Sequence, residues 1–578
     1  MTTMTPGVKE KRPWSGKVKP GLPARPTKHL PMKPMRVDAG PLIRAICEQL
    51  EIIPVINGMA PWDRQRCKLS PGELICTLII CCFLRQRPLY RVFLALETTD
   101  CELLLGRGVT PDDLNDDALG RALDKLAVAE PAKVFAAVCA RAAVLEAVDR
   151  RFLHWDSTSR SFYGDYDRQV GADGVHVTHG HSKDHRPDLK QVLLSVLGNR
   201  EGFPLWGEVH AGNASDKKLN AAVIEQIASA FSPEELRTLI HVADSAFVTG
   251  PNLAAADKAH LRFVSRLPEN YAAAAVVKAR AWAGAWTDIG KVAARREAAG
   301  YHASEQEASI DGRPYRLVVF RSSQLEKRKA AGFEQELGKQ REALEQVGEA
   351  LGRQNFACQQ DAEAAAGAWL MQAGYHQLAA SVEPAQVRLK RDHPGRPPKG
   401  EVPATRTVYR VVAKVEGRHA AKVEAERQRR STFVLITTVP LTEADAHALL
   451  LEYKSQGSLE RRFAFLKDRE IVDSFFVKKP ERVRALGYVL LLVCLVFSVL
   501  ERRMRQTGEP LPTLARGPVR NPTGLEVLRN TFATVSLMDD GSRQLYVPDR
   551  LRPTFDAILA GDRVDQRRYI TPPLRAPG

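Results

Sequence analysis

The chain has no C-x-x-C pair. Its nine cysteines, Cys47, Cys67, Cys76, Cys81, Cys82, Cys101, Cys139, Cys358 and Cys494, are odd in number and lie mostly in apolar helical sequence. That pattern speaks against a disulfide scaffold and predicts reduced, buried thiols in a cytoplasmic protein. The stretch from Lys9 to Arg36 lacks the apolar core of a secretory leader. The most apolar run, Ala485 to Leu500, is 16 residues long and includes Gly487, Tyr488, Cys494 and Ser498. A bilayer span needs about 20 apolar residues, so this run is expected to be a buried core helix. No internal repeat is visible, and no basic amphipathic helix suits a membrane surface. Acidic charge is also short: 84 Lys and Arg face 68 Asp and Glu, a formal net charge of +16.

Half of that excess lies at the start, where residues 1–36 hold nine Lys and Arg against one acid. A basic tail rich in Pro and Gly predicts disorder and a polyanionic partner. Nucleic acid is the expected partner, with solubility as the plainer explanation of the charge. At 578 residues the chain has room for three or four domains.

Two short segments carry the chemistry. Arg151 to Trp155 has the pattern of a strand ending in Asp156, and Leu239 to Ala243 that of a second ending in Asp244. Far downstream stands Tyr453-x2-Gln456-x3-Glu460-x6-Lys467. On a continuous helix the last three fall within about 40° of one another, and all four share one face. Leu459, Phe463 and Leu466 supply the adjoining apolar stripe. A bland amphipathic helix would show the same spacing. A third strand, Phe433 to Thr438, leads to Thr442-x-x-Asp445, expected as a capping box opening the helix that carries Glu460. Carboxylates from separate elements are what a two-metal phosphoryl-transfer site needs, because Mg²⁺ takes hard oxygen ligands. Asp165, Asp167, Asp173, Asp184 and Asp188 compete for the first position, but only Asp156 ends an apolar strand. Glu452 competes with Glu460 and sits about 80° around the helix from it.

The order Asp156, Asp244, Glu460, with a large interval before the glutamate, resembles the DDE transposases of bacterial insertion sequences. It is similar in particular to the group with a Tyr-x2-Arg-x3-Glu-x6-Lys signature. Ser182 to Gln191, Gly212 to Asp216, and Lys478 to Arg482 resemble one branch of that group. The resemblance spans about residues 30–505 and departs from the signature at Gln456, where arginine is usual. It implies that Asp156, Asp244 and Glu460 are catalytic and hold Mg²⁺, with Mn²⁺ as a substitute. It also implies DNA partners (element ends and target) and a homodimer or higher oligomer on DNA. Tyr453, Gln456 and Lys467 would contact phosphates. An aromatic residue of the inserted region would stack on an extruded base; Trp286 is the candidate, with Trp282 and Trp369 nearby. Two other readings are a non-catalytic DNA-binding protein on the same scaffold and a nuclease that cuts without joining.

The expected fold class is α/β: a ribonuclease-H-like catalytic core interrupted by an α+β insertion, preceded by an all-α domain. The basic tail covers residues 1–36 and the helical domain 37–149, the latter serving DNA-end binding or dimerisation. The core covers 150–250 and 431–505, the insertion 251–430, and a basic C-terminal segment 506–578. Phe333, Leu337, Leu344, Val347 and Leu351 predict a packed helix inside the insertion, and the proline-rich basic stretch from Arg388 to Lys399 a linker after it. Gly457 lies within the Glu460 helix, where glycine costs about 1 kcal/mol; close approach of DNA or a tolerated packing site would each account for it. Finally, His176, His179, His181 and His185 offer four imidazoles without a cysteine. Zinc is the competing reading of that stretch; the preferred one is a loop beside the catalytic centre, with Lys183, Arg186 and Lys190 as DNA contacts.

Overall fold

The computed structural model describes residues 33–573 except 85–95, 98, 163–165, 167–169, 172–173, 181–185, 215–222, 226, 228–230, 293–297, 391–401, 468–476, 478, 509, 512–522 and 540–542. Its first element, β1 (Lys33–Arg36), pairs antiparallel with β13 (Ser536–Asp539), which in turn pairs with β14 (Gln544–Tyr546). The end of the expected basic tail is thus a strand docked on the C-terminal segment. That segment also contributes helices Gly524–Asn530 and Arg552–Gly561.

Among the described residues from Gly40 to Leu145 the regular elements are helices. Pro71–Phe83 starts as its sequence demands: Ser70 and Glu73 form a capping box and Pro71 takes the first turn. Asn115 caps Asp116–Val128 more simply, its side chain accepting from the Ala118 N–H. The long helix Pro480–Gln506 runs through the largest apolar core, with Val483 to Leu500 nearly all below 5% exposure. Burial, not a bilayer, therefore accounts for its apolar run. Seven of the nine cysteines are buried; Cys67 is half-buried and Cys358 exposed.

A nine-stranded sheet forms the centre. Its strands are β2 (Phe152–Phe162), β3 (Lys190–Gly198), β4 (Pro204–Ala211), β5 (Ile240–Ala243), β6 (Arg262–Arg266), β7 (Thr287–Lys291), β8 (Gly300–Ile310), β9 (Arg313–Ser322) and β12 (Thr432–Thr437). The order is β4-β3-β2-β5-β6-β12-β9-β8-β7. β4, β3 and β2 run antiparallel, β5 and β6 parallel to β2, and β12 antiparallel to β6 and β9. The sheet therefore does not stop at residue 250. β6 continues it, and β7 to β9, expected in a separate insertion, extend its far edge. What stands apart is the antiparallel pair β10 (His376–Arg388) and β11 (Thr405–Arg418), packed on helices Ser323–Gly352 and Gln359–Leu370. The proline-rich stretch expected to be a linker joins these two strands, and most of it lies outside the described residues. Phe333, Leu337, Leu344 and Leu351 are buried as their spacing predicts, but Val347 is 45% exposed.

Strand alternation sorts the two faces. Leu153, Trp155, Ala243 and Phe263 join one core. Ile240, Val264 and Leu435 join the opposite one, with Leu449 and Leu450 of helix Ala446–Lys454. Asp156, Asp244 and Arg266 share parity with the second set, so all three belong to the face this helix covers.

Candidate active site

The first two carboxylates are placed by strand register. β2 and β5 pair in parallel with Phe152 opposite Ile240, Leu153 opposite His241 and His154 opposite Val242. Carried two residues on, that register sets Asp156 beside Asp244, and neighbouring strands lie about 4.8 Å apart. Asp156 is half-buried within β2, and its carboxylate accepts from the Ser157 N–H at 2.8 Å. Asp244 follows the last residue of β5 and is exposed. It caps the turn Ser245–Phe247, accepting from the Ala246 N–H at 3.0 Å, while Ser265 Oγ donates to its carbonyl at 2.7 Å.

The third carboxylate comes from a broken helix. Sequence spacing predicts one helix through Tyr453 and Glu460; instead Ala446–Lys454 ends and Gly457–Lys467 begins, with Ser455 and Gln456 in a turn between. The turn is closed by i to i+3 bonds, Ser458 N–H to Ser455 O and Leu459 N–H to Gln456 O. Tyr453 and Glu460 thus lie on different helices, and the single-face argument fails for Tyr453. The expected capping box also differs: Asp445 caps Ala446–Lys454 by accepting from the Ala448 N–H, and Thr442 lies in the preceding turn. The apolar stripe holds, with Leu459, Phe463 and Leu466 all at 3% exposure or less.

The second helix runs along β2. Ser455, just before it, meets His154 Nε2 at 3.3 Å, and near its end the Leu466 carbonyl accepts from Arg160 Nη1 at 3.2 Å. With rises of about 3.3 Å per strand residue and about 1.5 Å per helix residue, Asp156 falls level with Leu459–Glu460. Glu460 is exposed, and Gly457 has only the Arg461 and Glu460 side chains near it, so packing within the chain does not require glycine there. Glu452 is no rival: it is buried, with Oε1 3.1 Å from Arg200 and Oε2 3.6 Å from His154.

Tyr453 is half-buried, and burial raises its phenol above the usual value; Arg266 opposes the shift and Asp244 adds to it. It lines a cavity of about 380 Å³ with Arg266, Tyr301, Gln324, Arg328, Phe433 and Lys454. Lys454 Nζ hydrogen-bonds Tyr301 Oη and sits 4.6 Å from that ring. The cavity lining includes three cations and no carboxylate. Sequence reading missed Arg266, Lys454 and Arg328; only Lys454 carried a local signal, as the neighbour of Tyr453.

Other candidates are dispersed. Arg186 grips Asp188 with both Nε and Nη2, at 2.8 and 2.6 Å. Lys190 opens β3, opposite Phe162. Gln456 is half-buried at the helix break. Lys183, His181, His185 and the Lys467 side chain lie outside the described residues. Trp286 stacks edge-on to Trp282 at 5.4 Å and packs against the core, which accounts for it without a base. Trp369 is buried with its indole N–H on the Leu344 carbonyl.

Hard carboxylate oxygens suit a divalent cation, and Asp156 and Asp244 supply them side by side. Among the described residues, however, no three His, Cys, Asp or Glu side chains converge within reach of one ion.

A family model for the transposase DDE domain matches residues 147–496, which takes in all three carboxylates. The chain belongs to the DDE transposase family. Residues 32–140 of this transposase match a second family, described only as a domain of unknown function (DUF4277). No curated protein sequence matches the chain. A structural likeness is found to the cryo-EM structure of a piggyBac transposase synaptic complex with hairpin DNA. It covers 86% of this chain and 81% of that one at 9% identity, with a TM-score of 0.35, a level at which it supports no argument.

Proposed function

We propose that this transposase cuts phosphodiester bonds at the ends of a DNA element and joins the freed 3′-hydroxyls to target DNA, using Asp156, Asp244 and Glu460. The observation that supports the reading is the parallel register of β2 and β5, which carried two residues on brings Asp244, just past β5, level with Asp156, where the helix bearing Glu460 runs along β2. The order β4-β3-β2-β5-β6, three antiparallel strands then two parallel, is the basis for reading a ribonuclease-H-like core. In that reading Ala446–Lys454 and Gly457–Lys467 complete the core, and residues from β7 to β11 form the insertion. The 37–149 region would serve end binding or assembly of an oligomer.

Asp156, Asp244 and Glu460 would hold Mg²⁺ or Mn²⁺. When bound, the metal would lower the pKa of an attacking water and stabilise the leaving oxygen. The strand-borne aspartates supply fixed negative charge at the edge of β5. Tyr453, kept in its protonated form by burial, donates to a phosphate oxygen, and Arg266, Arg328 and Lys454 hold the strand that enters the cavity as point charges or forks. Lys467, Gln456, Arg186, Lys190 and Lys183 are assigned to phosphates further along the DNA; Arg186 must release Asp188 to serve.

The test uses the purified full chain, duplexes carrying the inverted repeats that flank its open reading frame, and a supercoiled target. Cleavage at the repeat boundary followed by joined product is expected with Mg²⁺. Cleavage without joining would make the protein a nuclease. Binding without either, in Mg²⁺ and in Mn²⁺, would make it a DNA-binding protein on a transposase scaffold.

A further inference from the structure

The break at Ser455–Gln456 is held from outside the two helices. The turn between β3 and β4 is built by Asn199, which is 1% exposed and accepts the N–H groups of Glu201 and Phe203, each at 3.0 Å. That turn is tied to the start of the Glu460 helix at several points. Ser458 Oγ contacts the carbonyls of Arg200 and Ser455 at 2.8 and 2.7 Å. Arg462 Nη2 donates to the Glu201 carbonyl at 3.2 Å. Gly202 has φ of +76°, and a Cβ there would stand 2.8 Å from the Ser458 carbonyl. Arg200 pairs with Glu452, the last buried residue before the break. On the sheet side, buried His154 meets Ser455 Oγ and lies 3.6 Å from Glu452 Oε2, two residues ahead of Asp156.

We propose that the Asn199–Phe203 turn and His154 form a bracket that fixes the angle of the break, and with it the position of Glu460 over Asp156. His154, Arg200, Gly202 and Ser458 are then positioning residues for the reaction. The inference rests on the reading that Glu460 is catalytic. Its physical basis is the leverage of the break: Glu460 lies four residues beyond it on a helix that packs by one apolar stripe, so a small change of angle moves the carboxylate relative to β2. Only glycine permits the close approach at 202, because a side chain there would meet helix backbone in a left-handed conformation.

Single-turnover cleavage and duplex affinity separate this role from a general one. Gly202→Ala and Ser458→Ala should slow cleavage by about 10- to 100-fold, the scale of an ångström-sized misplacement. Affinity for the end duplex should stay within about twofold, since neither residue is assigned to DNA. Arg200→Met, which removes only the Glu452 contact, should give a smaller slowing in the same direction and covers the case in which the other two fail to fold. Unchanged cleavage in folded variants, with Glu460→Gln inactive, would overturn the bracket and leave the catalytic reading intact. A loss of affinity in place of rate would also overturn it, making the turn a DNA contact. Full cleavage by Glu460→Gln would instead sink the catalytic reading itself.

Discussion

The aspartates and the glutamate are carried by two different kinds of support. Asp156 lies within β2 and Asp244 directly follows β5, and these neighbouring strands are locked by their parallel register. Glu460 sits exposed on an 11-residue helix that begins just after a break and is held by side chains from β2 and the helix Pro480–Gln506 and by backbone carbonyls of the β3–β4 turn. The strand pair needs no further help to stay level. The glutamate depends on a set of separate contacts, any of which can be cut. That difference teaches where the site is rigid and where its geometry is adjustable.

The comparison breaks most sharply if the three carboxylates are replaced one at a time. Asp156→Asn, Asp244→Asn and Glu460→Gln should each lower cleavage by roughly a thousandfold or more, with non-additive double variants, because the residues work as one unit. DNA affinity should change only a few-fold. A variant that cleaves normally removes its residue from the trio, and loss confined to the aspartates would leave the helix as scaffold.

Support for the Glu460 helix can be tested by stability. Arg462 is 4% exposed and pairs with the buried Glu501 of Pro480–Gln506, which also accepts from Arg505 at 2.9 Å and from the Gly524 N–H at 3.1 Å. Arg462→Met should cost about 3 kcal/mol in chemical denaturation, the lower end expected when a buried pair loses one partner. Arg462→Met with Glu501→Met should recover part of it. No loss would show that the helix is held by its apolar stripe alone.

Away from the site, the basic tail should act on affinity only. Because Lys33–Arg36 is strand β1, the deletion that isolates the tail is 1–32. It should weaken binding to all duplexes and reduce the slope of log K against log[salt] by several units, while preference for element ends survives. Loss of preference with an unchanged slope would make the tail a base reader.

The effect most remote from the site is a pH dependence. Arg503 bonds Glu146 at 2.9 and 2.7 Å and reaches buried Asp562 Oδ1 only at 3.5 Å, so one guanidinium serves two carboxylates. Burial pushes it up to about 8, against the pull of Arg503. A folded value above the unfolded one of 3.8 means that the native state binds the extra proton. Stability from this group is therefore full below pH about 4 and declines until about pH 8. Asp562→Asn should gain stability relative to the parent as pH rises through that window, read from urea midpoints at pH 5, 7 and 9. A pH-independent difference would place the proton elsewhere.

Much of this was legible in the sequence because strands and caps are local. The apolar run before Asp244 marks a strand end, the Ser70 and Asn115 starts are where their chemistry puts them, and the Leu459 stripe is buried; the run before Asp156 marks a strand but not its end, since pairing with β3 carries β2 on to Phe162. The rest was set by long-range contacts. Near Ser455 only Gly457 hints at a helix break, and the contacts that meet the break come from His154 and the β3–β4 turn, more than 250 residues away in sequence. β7 to β9 look like a separate insertion because sheet membership depends on β12, which follows them by over 100 residues. Arg266 and Arg328 reach the Tyr453 cavity only through that topology.

The central claim is that Asp156, Asp244 and Glu460 bind one divalent-metal site despite their unequal supports. Cysteine substitutions test it directly, because a thiolate ligand disfavours Mg²⁺ more than Mn²⁺. Strand cleavage would be measured for Asp156→Cys, Asp244→Cys and Glu460→Cys in each metal, on the same end duplex. Each variant should be inactive in Mg²⁺ and regain measurable cleavage in Mn²⁺, raising the Mn²⁺/Mg²⁺ rate ratio by about tenfold or more over the parent. A variant whose ratio equals that of the parent would show that its residue does not bind the metal, and would contradict the account at that position.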